Sequence, residues 1–155
     1  MTPEAQTVTA FYDCFAARDA EGMVALYADD VTFHDPAFGE LHGDRAKAMW
    51  RMLCAAGKDL EVQASAISGS NGAARAHWEA DYTFSTGRRI HNVVEARFDL
   101  ADGLITRHTD TFSFSKWAGQ AFGPFGIVGR IPGAATTFQL LSNRQLDGFI
   151  AKHAA

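Results

Sequence analysis

The amino-acid sequence predicts an α+β fold in which N-terminal helices pack on a curved antiparallel sheet that encloses a pocket, with a C-terminal helical extension. Three observations carry this expectation. Apolar residues recur with helical spacing as far as about residue 56, and from residue 60 the period switches to two. Beyond Ser115, glycines and aromatics replace both patterns.

Val8, Phe11, Tyr12 and Phe15 form an i, i+3, i+4, i+7 stripe, which makes residues 4–17 an amphipathic helix. Asp19 suits the N-cap of a second short helix that turns Met23, Leu26 and Tyr27 inward and ends at Asp29-Asp30. Val31, Phe33 and Asp35 then alternate with Thr32 and His34 as a strand does, and Pro36 closes that segment. Gly43-Asp44 opens a third helix with Met49, Trp50 and Leu53 on one side, and Gly57 is placed to terminate it in a left-handed conformation.

Leu60 to Ile67 reads as a strand, with a turn at Ser70-Asn71-Gly72. Residues 73–85 put Ala74, Ala76, Trp78, Ala80, Tyr82 and Phe84 on one face, opposite Arg75, His77, Glu79 and Asp81. Residues 88–100 repeat the scheme, with Ile90, Val94, Ala96, Phe98 and Leu100 against Arg89, His91, Glu95 and Arg97. Asp102-Gly103 makes a further hairpin leading into a strand over Leu104 to Phe114. Long hairpin-linked strands with one polar face imply a sheet covered on one side only. Wrapping that sheet around the helices leaves a hollow between the two layers.

The expected organisation is a core over residues 1–115 and an extension of the same domain over 116–155, containing Gly119, Gly123, Gly126, Gly129 and Gly133 and a final helix after Thr136-Thr137. That helix is expected to bury Phe138, Leu141, Phe149 and Ile150. The extension reads as an appendage packed on the core, as a lid over the pocket mouth or as an arm reaching a partner subunit. Trp117, Phe122 and Phe125 are more aromatic surface than a short tail exposes alone, so a homodimer formed mainly by the outer sheet face is expected.

A chain of 155 residues buries roughly 70% of its extended surface on folding, enough for one core without disulfide or metal. Cys14 and Cys54 lie in helical patterns beside apolar neighbours and read as reduced thiols, which together with the lack of a visible signal segment suits a cytoplasmic protein. A net charge of −4 with no basic cluster argues against nucleic acid and against an anionic membrane. The six histidines sit on different elements with no ligand spacing, so neither a metal nor a cofactor is expected. Neither a phosphate-binding glycine loop nor a nucleophile elbow is present.

The stretch Tyr27-Ala28-Asp29-Asp30-Val31-Thr32-Phe33-His34-Asp35-Pro36, followed by Gly43, resembles the segment joining the second helix to the hook strand in ketosteroid isomerases and SnoaL-type polyketide cyclases. Phe98 to Asp110 is similar to the last hairpin of those cyclases and of limonene epoxide hydrolases. The resemblance is to the nuclear transport factor 2-like superfamily, covers about residues 4–115, and implies a cone-shaped roll around a small-molecule pocket. It is poor at choosing a member, because the fold hosts many chemistries.

Three residues are the candidate catalytic groups. Asp35 shares the phase of Val31 and Phe33 and so faces the helices, where desolvation fits a carboxyl to move protons. The resemblance puts it at the isomerases' general-base position; the alternative is that Asp-Pro starts the turn after the hook. His108 and Asp110 share the phase of Phe112 and Phe114, with Cα atoms about 7 Å apart. By resemblance Asp110 matches a catalytic carboxylate of the epoxide hydrolases, and His108 with Asp110 matches a pair in the cyclases. The alternative is a hydrogen-bonded pair that fixes the strand. Phe11, Tyr12, Phe15, Tyr27, Phe33, Trp50, Trp78 and Phe112 are the residues expected to bind the ligand.

The sequence departs from two of these patterns. The isomerase tyrosine falls on Phe11, with Tyr12 turned about 100° away, and the isomerase acid falls on Ala96. The hydrolases' Arg-x-Asp falls on His77-Trp78-Glu79 or Glu79-Ala80-Asp81, without the arginine. The expected function is therefore a cofactor-independent acid–base enzyme of the cyclase or isomerase kind acting on an apolar, carbonyl-bearing molecule. The alternative is a non-catalytic binder of a small apolar ligand.

Overall fold

In the computed structural model, which describes residues 1–153 and at 127–129 the backbone alone, two helices lead into a six-stranded sheet and a third interrupts it. The first helix, α1 (Pro3–Ala16), is capped by the Thr2 hydroxyl and starts on a proline, whose missing N–H is no loss in a first turn. Asp19 caps the short α2 (Ala20–Val24) by accepting from the Gly22 N–H at 2.9 Å, as its position predicts. This helix stops earlier than its sequence suggests. Leu26 lies in the turn, and Tyr27 begins strand β1 (Tyr27–Asp35) instead of closing the helix.

Strand β2 (Gly39–His42) pairs antiparallel with β1, and α3 (Asp44–Ala56) follows. Gly57 ends α3 at φ −81°, so the termination is not the left-handed one expected of a glycine there. Four strands then meander: β3 (Glu61–Ser70), β4 (Ala73–Thr83), β5 (Arg89–Ala101) and β6 (Leu104–Thr111). Asn71-Gly72 and Asp102-Gly103 turn two of the hairpins with both residues at positive φ, as two-residue turns of this hand require.

The sheet order is β2-β1-β6-β5-β4-β3, and it is mixed, since β1 runs parallel to β6. It is not closed. Bulges in β3 between Ser65 and Ser68, and in β1 between Tyr27 and Thr32, bend it around α1 and α3. Gly69 permits the closest approach, because a Cβ there would meet Glu4 Cβ and the Ala73 carbonyl at 2.9 Å. The inner face is the predicted one, with Ala74, Ala76, Trp78 and Ala80 of β4 and Ile90, Val94, Ala96 and Phe98 of β5 all buried.

Strand β6 is shorter than its alternation suggests. Thr111 ends it, and Phe114 opens helix α4 (Phe114–Phe122), capped by Ser113. The β5 edge thereby left uncovered is taken by α4, where Gln120 Oε1 accepts from the His91 N–H at 2.6 Å. Trp117 is buried against Ile90, Phe84 and Phe138, so the aromatic surplus read from the sequence is mostly absorbed within the chain; Phe122 is half-buried and Phe125 exposed. A 3-10 segment (Gly123–Arg130) leads to α5 (Ala134–His153), which lies along α3 and the hook through Arg45–Asp147 at 2.6 Å and Asn143 Nδ2 to the Phe38 carbonyl at 2.9 Å. Leu146 and Ser142 form its buried face, whereas Leu141, expected inside, is exposed. The side chains of Ile127 and Val128, and residues 154–155, lie outside the described part. No described helix is long and apolar enough to cross a membrane.

Candidate functional site

Strands β1 and β6 build the site. Their parallel register matches Phe33 to His108 and His34 to Thr109, so one further step sets Asp35 beside Asp110. Adjacent strands lie about 4.8 Å apart, and both residues face inward, so the two carboxyl groups are neighbours on the concave face. Across β6, Asp110 pairs with Ala96 of β5, and Ala96 with Ala76 of β4. The acidic pair is thus flanked on that side by two methyl groups.

Hydrogen bonds fix the chemistry of this row. His108 is wholly buried, and its Nδ1 lies 2.7 Å from the Tyr27 hydroxyl. That hydroxyl accepts from Trp50 Nε1 at 2.8 Å. An indole nitrogen can only donate, so the Tyr27 oxygen accepts there and its phenolic proton is free to be donated to His108 Nδ1. In the tautomer that accepts it, the ring proton sits on Nε2 and points at Asp110 Oδ1, 2.8 Å away. Trp78 Nε1 approaches the same oxygen at 3.4 Å. The order Trp50, Tyr27, His108, Asp110 is therefore a directed chain ending in a carboxylate acceptor, with Asp110 Oδ2 not engaged by any described side chain.

Asp35 differs. Its Oδ1 accepts from the backbone N–H groups of Ala37 at 2.9 Å and Phe38 at 2.7 Å, the Asx turn its Asp-Pro sequence foretells. Burial nevertheless pushes its pKa from the ordinary 3.8 up to about 7; the backbone donors pull it down and the charge of Asp110 adds to the rise. Near neutral pH Asp35 is therefore poised between its protonated and ionised forms. Tyr12 supplies a third polar atom: its hydroxyl is buried with no hydrogen-bond partner, and burial together with the Asp110 charge holds its pKa well above the usual phenol value.

The aromatic residues expected to bind ligand converge on this row but divide in role. Phe11 stacks on Tyr27 and meets Trp50 and His108 edge-on, Phe33 meets His108 at 5.1 Å, and Phe15 lies between Trp50 and Trp78. Trp50 commits its Nε1–H to the Tyr27 hydroxyl, and Tyr27 commits that hydroxyl to His108. Trp78 and Tyr12 stand over Asp110, and Phe112 is partly buried at the strand end. Phe114 leaves the row altogether for α4. The volume between helices and sheet, expected as a hollow, is packed with these rings. Clefts of about 420 and 230 Å³ lie elsewhere, at the β3–β5 hairpin ends and beside the start of α1.

Two residues near the row escaped the sequence reading as site candidates. Tyr82 lies within range of the Asp35 charge and accepts from Trp117 Nε1 at 2.8 Å, so α4 is tied to the end of the cone where Asp35 lies. Alternation had already put Tyr82 on the inner face. Trp117 carried no such signal, because α4 follows β6 without a glycine or proline break. Among the described residues no group of three or more His, Cys, Asp or Glu is arranged to hold a metal ion.

The inner face of β4 offers Trp78 and alanines where the epoxide hydrolase pattern needs an arginine, and His77 and Glu79 point outward. Comparison with known proteins agrees with the fold and leaves the activity open. The structure is similar to an NTF2-like protein of unknown function from Burkholderia pseudomallei K96243 (TM-score 0.71, 21% identity, 79% of this chain and 100% of that one). It is similar to TerC co-crystallised with polyporic acid (TM-score 0.67, 17%, 77% and 98%) and to a candidate polyketide cyclase from Xanthomonas campestris pv. campestris (TM-score 0.61, 23%, 77% and 96%). These identities speak for the fold alone. No curated protein matches the chain. The family model for the SnoaL-like domain matches residues 8–108, most of the helices and sheet that build the site, and the chain belongs to the SnoaL-like domain family.

Proposed function

We propose that this protein is a cofactor-independent acid–base enzyme, of the cyclase or isomerase kind, acting on an apolar molecule that carries an enolisable carbonyl. The observation that carries the reading is a pair of adjacent buried carboxyl groups in unlike environments. Asp110 is held by the His108 ring nitrogen at 2.8 Å, while burial raises Asp35 to about 7, so that it is partly protonated at neutral pH. In this reading Asp110 Oδ2 takes the proton from the carbon next to the carbonyl. The C–H electrons form the enolate C=C bond, and the carbonyl oxygen, gaining charge, accepts from the Tyr12 hydroxyl or from protonated Asp35. Return of the abstracted proton from Asp110 to another carbon of the enolate completes an isomerisation and restores both carboxyl groups; in a cyclisation the enolate carbon attacks a second carbonyl, and the alkoxide formed takes the proton from Asp110.

His108, Tyr27 and Trp50 are positioning residues, because they act through Asp110. Burial of the row means that a substrate enters by displacing rings at its rim, where Phe112 and the Tyr82–Trp117 pair lie. The crystallisation of one structural neighbour with polyporic acid supports a small organic ligand. Free thiols at Cys14 and Cys54 suit a reducing, cytoplasmic setting.

The test does not require the natural product. A panel of steroid-like and polyketide-like ketones is incubated with the protein in D2O, and deuterium incorporation next to the carbonyl is followed by NMR. Wild type should accelerate exchange for some member, Asp110→Asn should lower that rate about 10²–10⁴-fold, and affinity should change far less. Ligand binding with no exchange would make the protein a binder whose same residues only orient the ligand. Unchanged exchange in both Asp110→Asn and Asp35→Asn would dispose of the acid–base assignment.

A further inference from the structure

One residue interrupts the apolar inner face of β5. Asn92 points inward between Ile90 and Val94 and lies opposite Ala80 of β4. It is 9% exposed, and no described residue gives its amide a hydrogen bond or takes one from it. A carboxamide has two N–H donors and one acceptor oxygen, and burying them without partners costs stability. The fold draws no contact from that amide, and a hydrocarbon side chain would simply continue the pattern of its neighbours.

The position of Asn92 gives the amide a use. Ile90 belongs to the small cluster around Trp117 and Val94 to the main core, so Asn92 stands at the seam between the two. One step beyond the Glu95–Thr111 match, the β5–β6 register sets Phe112 beside Val94. Helix α4 lies along the adjoining edge, where Gln120 accepts from the His91 N–H. Tyr82 pairs with Ile90 and is thus the diagonal neighbour of Asn92, within reach of a shared group. Its oxygen accepts from Trp117 Nε1, and an indole only donates, so the phenolic proton of Tyr82 is left over. No described residue accepts it. An unpartnered amide and a spare O–H donor therefore meet at the rim by which a substrate reaches the acidic row.

We propose that Asn92, helped by the Tyr82 hydroxyl, binds a neutral hydroxyl or carbonyl group at the end of the substrate remote from its reacting carbonyl. The inference rests on the reading that a small molecule occupies the Asp35–Asp110 row. Asn92 lies about 14 Å along β5 from Ala96, the cross-strand partner of Asp110. The ligand is then an elongated, multi-ring molecule with a polar group at either end. The distal group is uncharged, because Ile90, Val94, Ala80 and Tyr82 offer a desolvated ion nothing to pair with.

The test uses matched pairs of steroid-like and polyketide-like ketones that differ only in a hydroxyl or a hydrogen at the end remote from the carbonyl. Binding is measured by titration calorimetry. Wild type should bind the hydroxyl member of at least one pair about 3–10-fold more tightly. Asn92→Leu and Asn92→Ala should each abolish that preference while binding the hydrogen member as wild type does; the alanine separates loss of the amide from the bulk of leucine. At least one variant should unfold in urea at or above the wild-type midpoint, since a buried unpaired amide has been removed. The proposal is overturned if wild type prefers the hydroxyl member of no pair, whether or not the pairs bind, or if the preference survives in both variants. A lower midpoint in both would equally overturn it, by showing that the amide serves the fold. Asp110→Asn keeps this result apart from the catalytic reading, because it should lose deuterium exchange and retain the hydroxyl preference. A preference that needs Asn92, with no exchange by wild type, leaves the subsite standing and removes the enzyme. Exchange that needs Asp110, with no preference lost on replacing Asn92, does the reverse.

Discussion

Replacing Asp35 by asparagine isolates the cost of burying one carboxylate beside another. Burial, reinforced by the Asp110 charge, carries Asp35 from 3.8 to about 7 in the folded chain, against the pull of two backbone donors. Between those values the folded state holds a proton that the unfolded state has released. Stability is then lost as pH rises. The contribution is complete below about pH 4, declines through the interval and is gone above about pH 7. At ~1.36 kcal/mol per pH unit the span from 3.8 to about 7 sets a ceiling of ~4 kcal/mol on that loss. Asparagine retains the Oδ1 that accepts from Ala37 and Phe38, so the turn survives, and it carries no charge.

Asp35→Asn should therefore match wild type near pH 4 and exceed it by ~2–4 kcal/mol at pH 8.5. The measurement is urea unfolding followed by tryptophan fluorescence from pH 4 to 8.5 at constant ionic strength. An unchanged denaturant slope shows that the surface exposed on unfolding is the same. Asp110→Asn removes the charge that adds to the rise of Asp35 and should move the declining limb to lower pH. Parallel stability curves for wild type and Asp35→Asn across this range would refute the argument, since the raised carboxyl would then be absent.

Tyr27→Phe takes the donor from His108 Nδ1 and the acceptor from Trp50 Nε1, both in the core, and should cost ~1–3 kcal/mol. Nitrogen-15 correlation spectra of the histidine side chains should show His108 as a single Nε2–H tautomer in wild type and a mixture in this variant; a mixture in wild type would contradict the directed chain. Trp117→Ala should cost ~3–5 kcal/mol if the domain unfolds as a unit. Should α4 open by itself, amide exchange at residues 114–122 would instead accelerate while β4 and β5 stay protected.

Strands β4 and β5 were legible because every even-numbered position on their inner face, from Ala74 to Tyr82 and from Ile90 to Phe98, is apolar or small apart from Asn92, and two-residue turns of Asn-Gly and Asp-Gly bound the meander. The same rule misled at Phe112 and Phe114. Their alternation continues that of His108 and Asp110, but Ser113 caps a helix there, and a cap made by one serine between two phenylalanines leaves no mark on the period. Tyr27 was misassigned for a related reason. A five-residue helix spans too few turns to establish its own periodicity, and a bulged strand start mimics helical spacing between Tyr27 and Val31.

The inward placement of the candidate residues was legible in the sequence, and their contacts with one another were not. Phase alone put Asp35, His108 and Asp110 on one face, and that placement needed only the two-residue repeat of each strand. Roles depend on which strand lies beside which, and the parallel match of β1 with β6 joins residues 75 positions apart (Asp35 and Asp110) across a sheet whose other neighbouring pairs are antiparallel. That single pairing places one carboxyl against the other and so adds to the rise that burial imposes on Asp35. Tyr27, at the start of the same strand, is brought under His108 by the bulge that carries the chain on to Thr32. The proton inventory of the row is thus set by strand order and one bulge, and a change that restores regular pairing between Tyr27 and Thr32 would detach the tyrosine from His108 while leaving the two carboxyl groups in place.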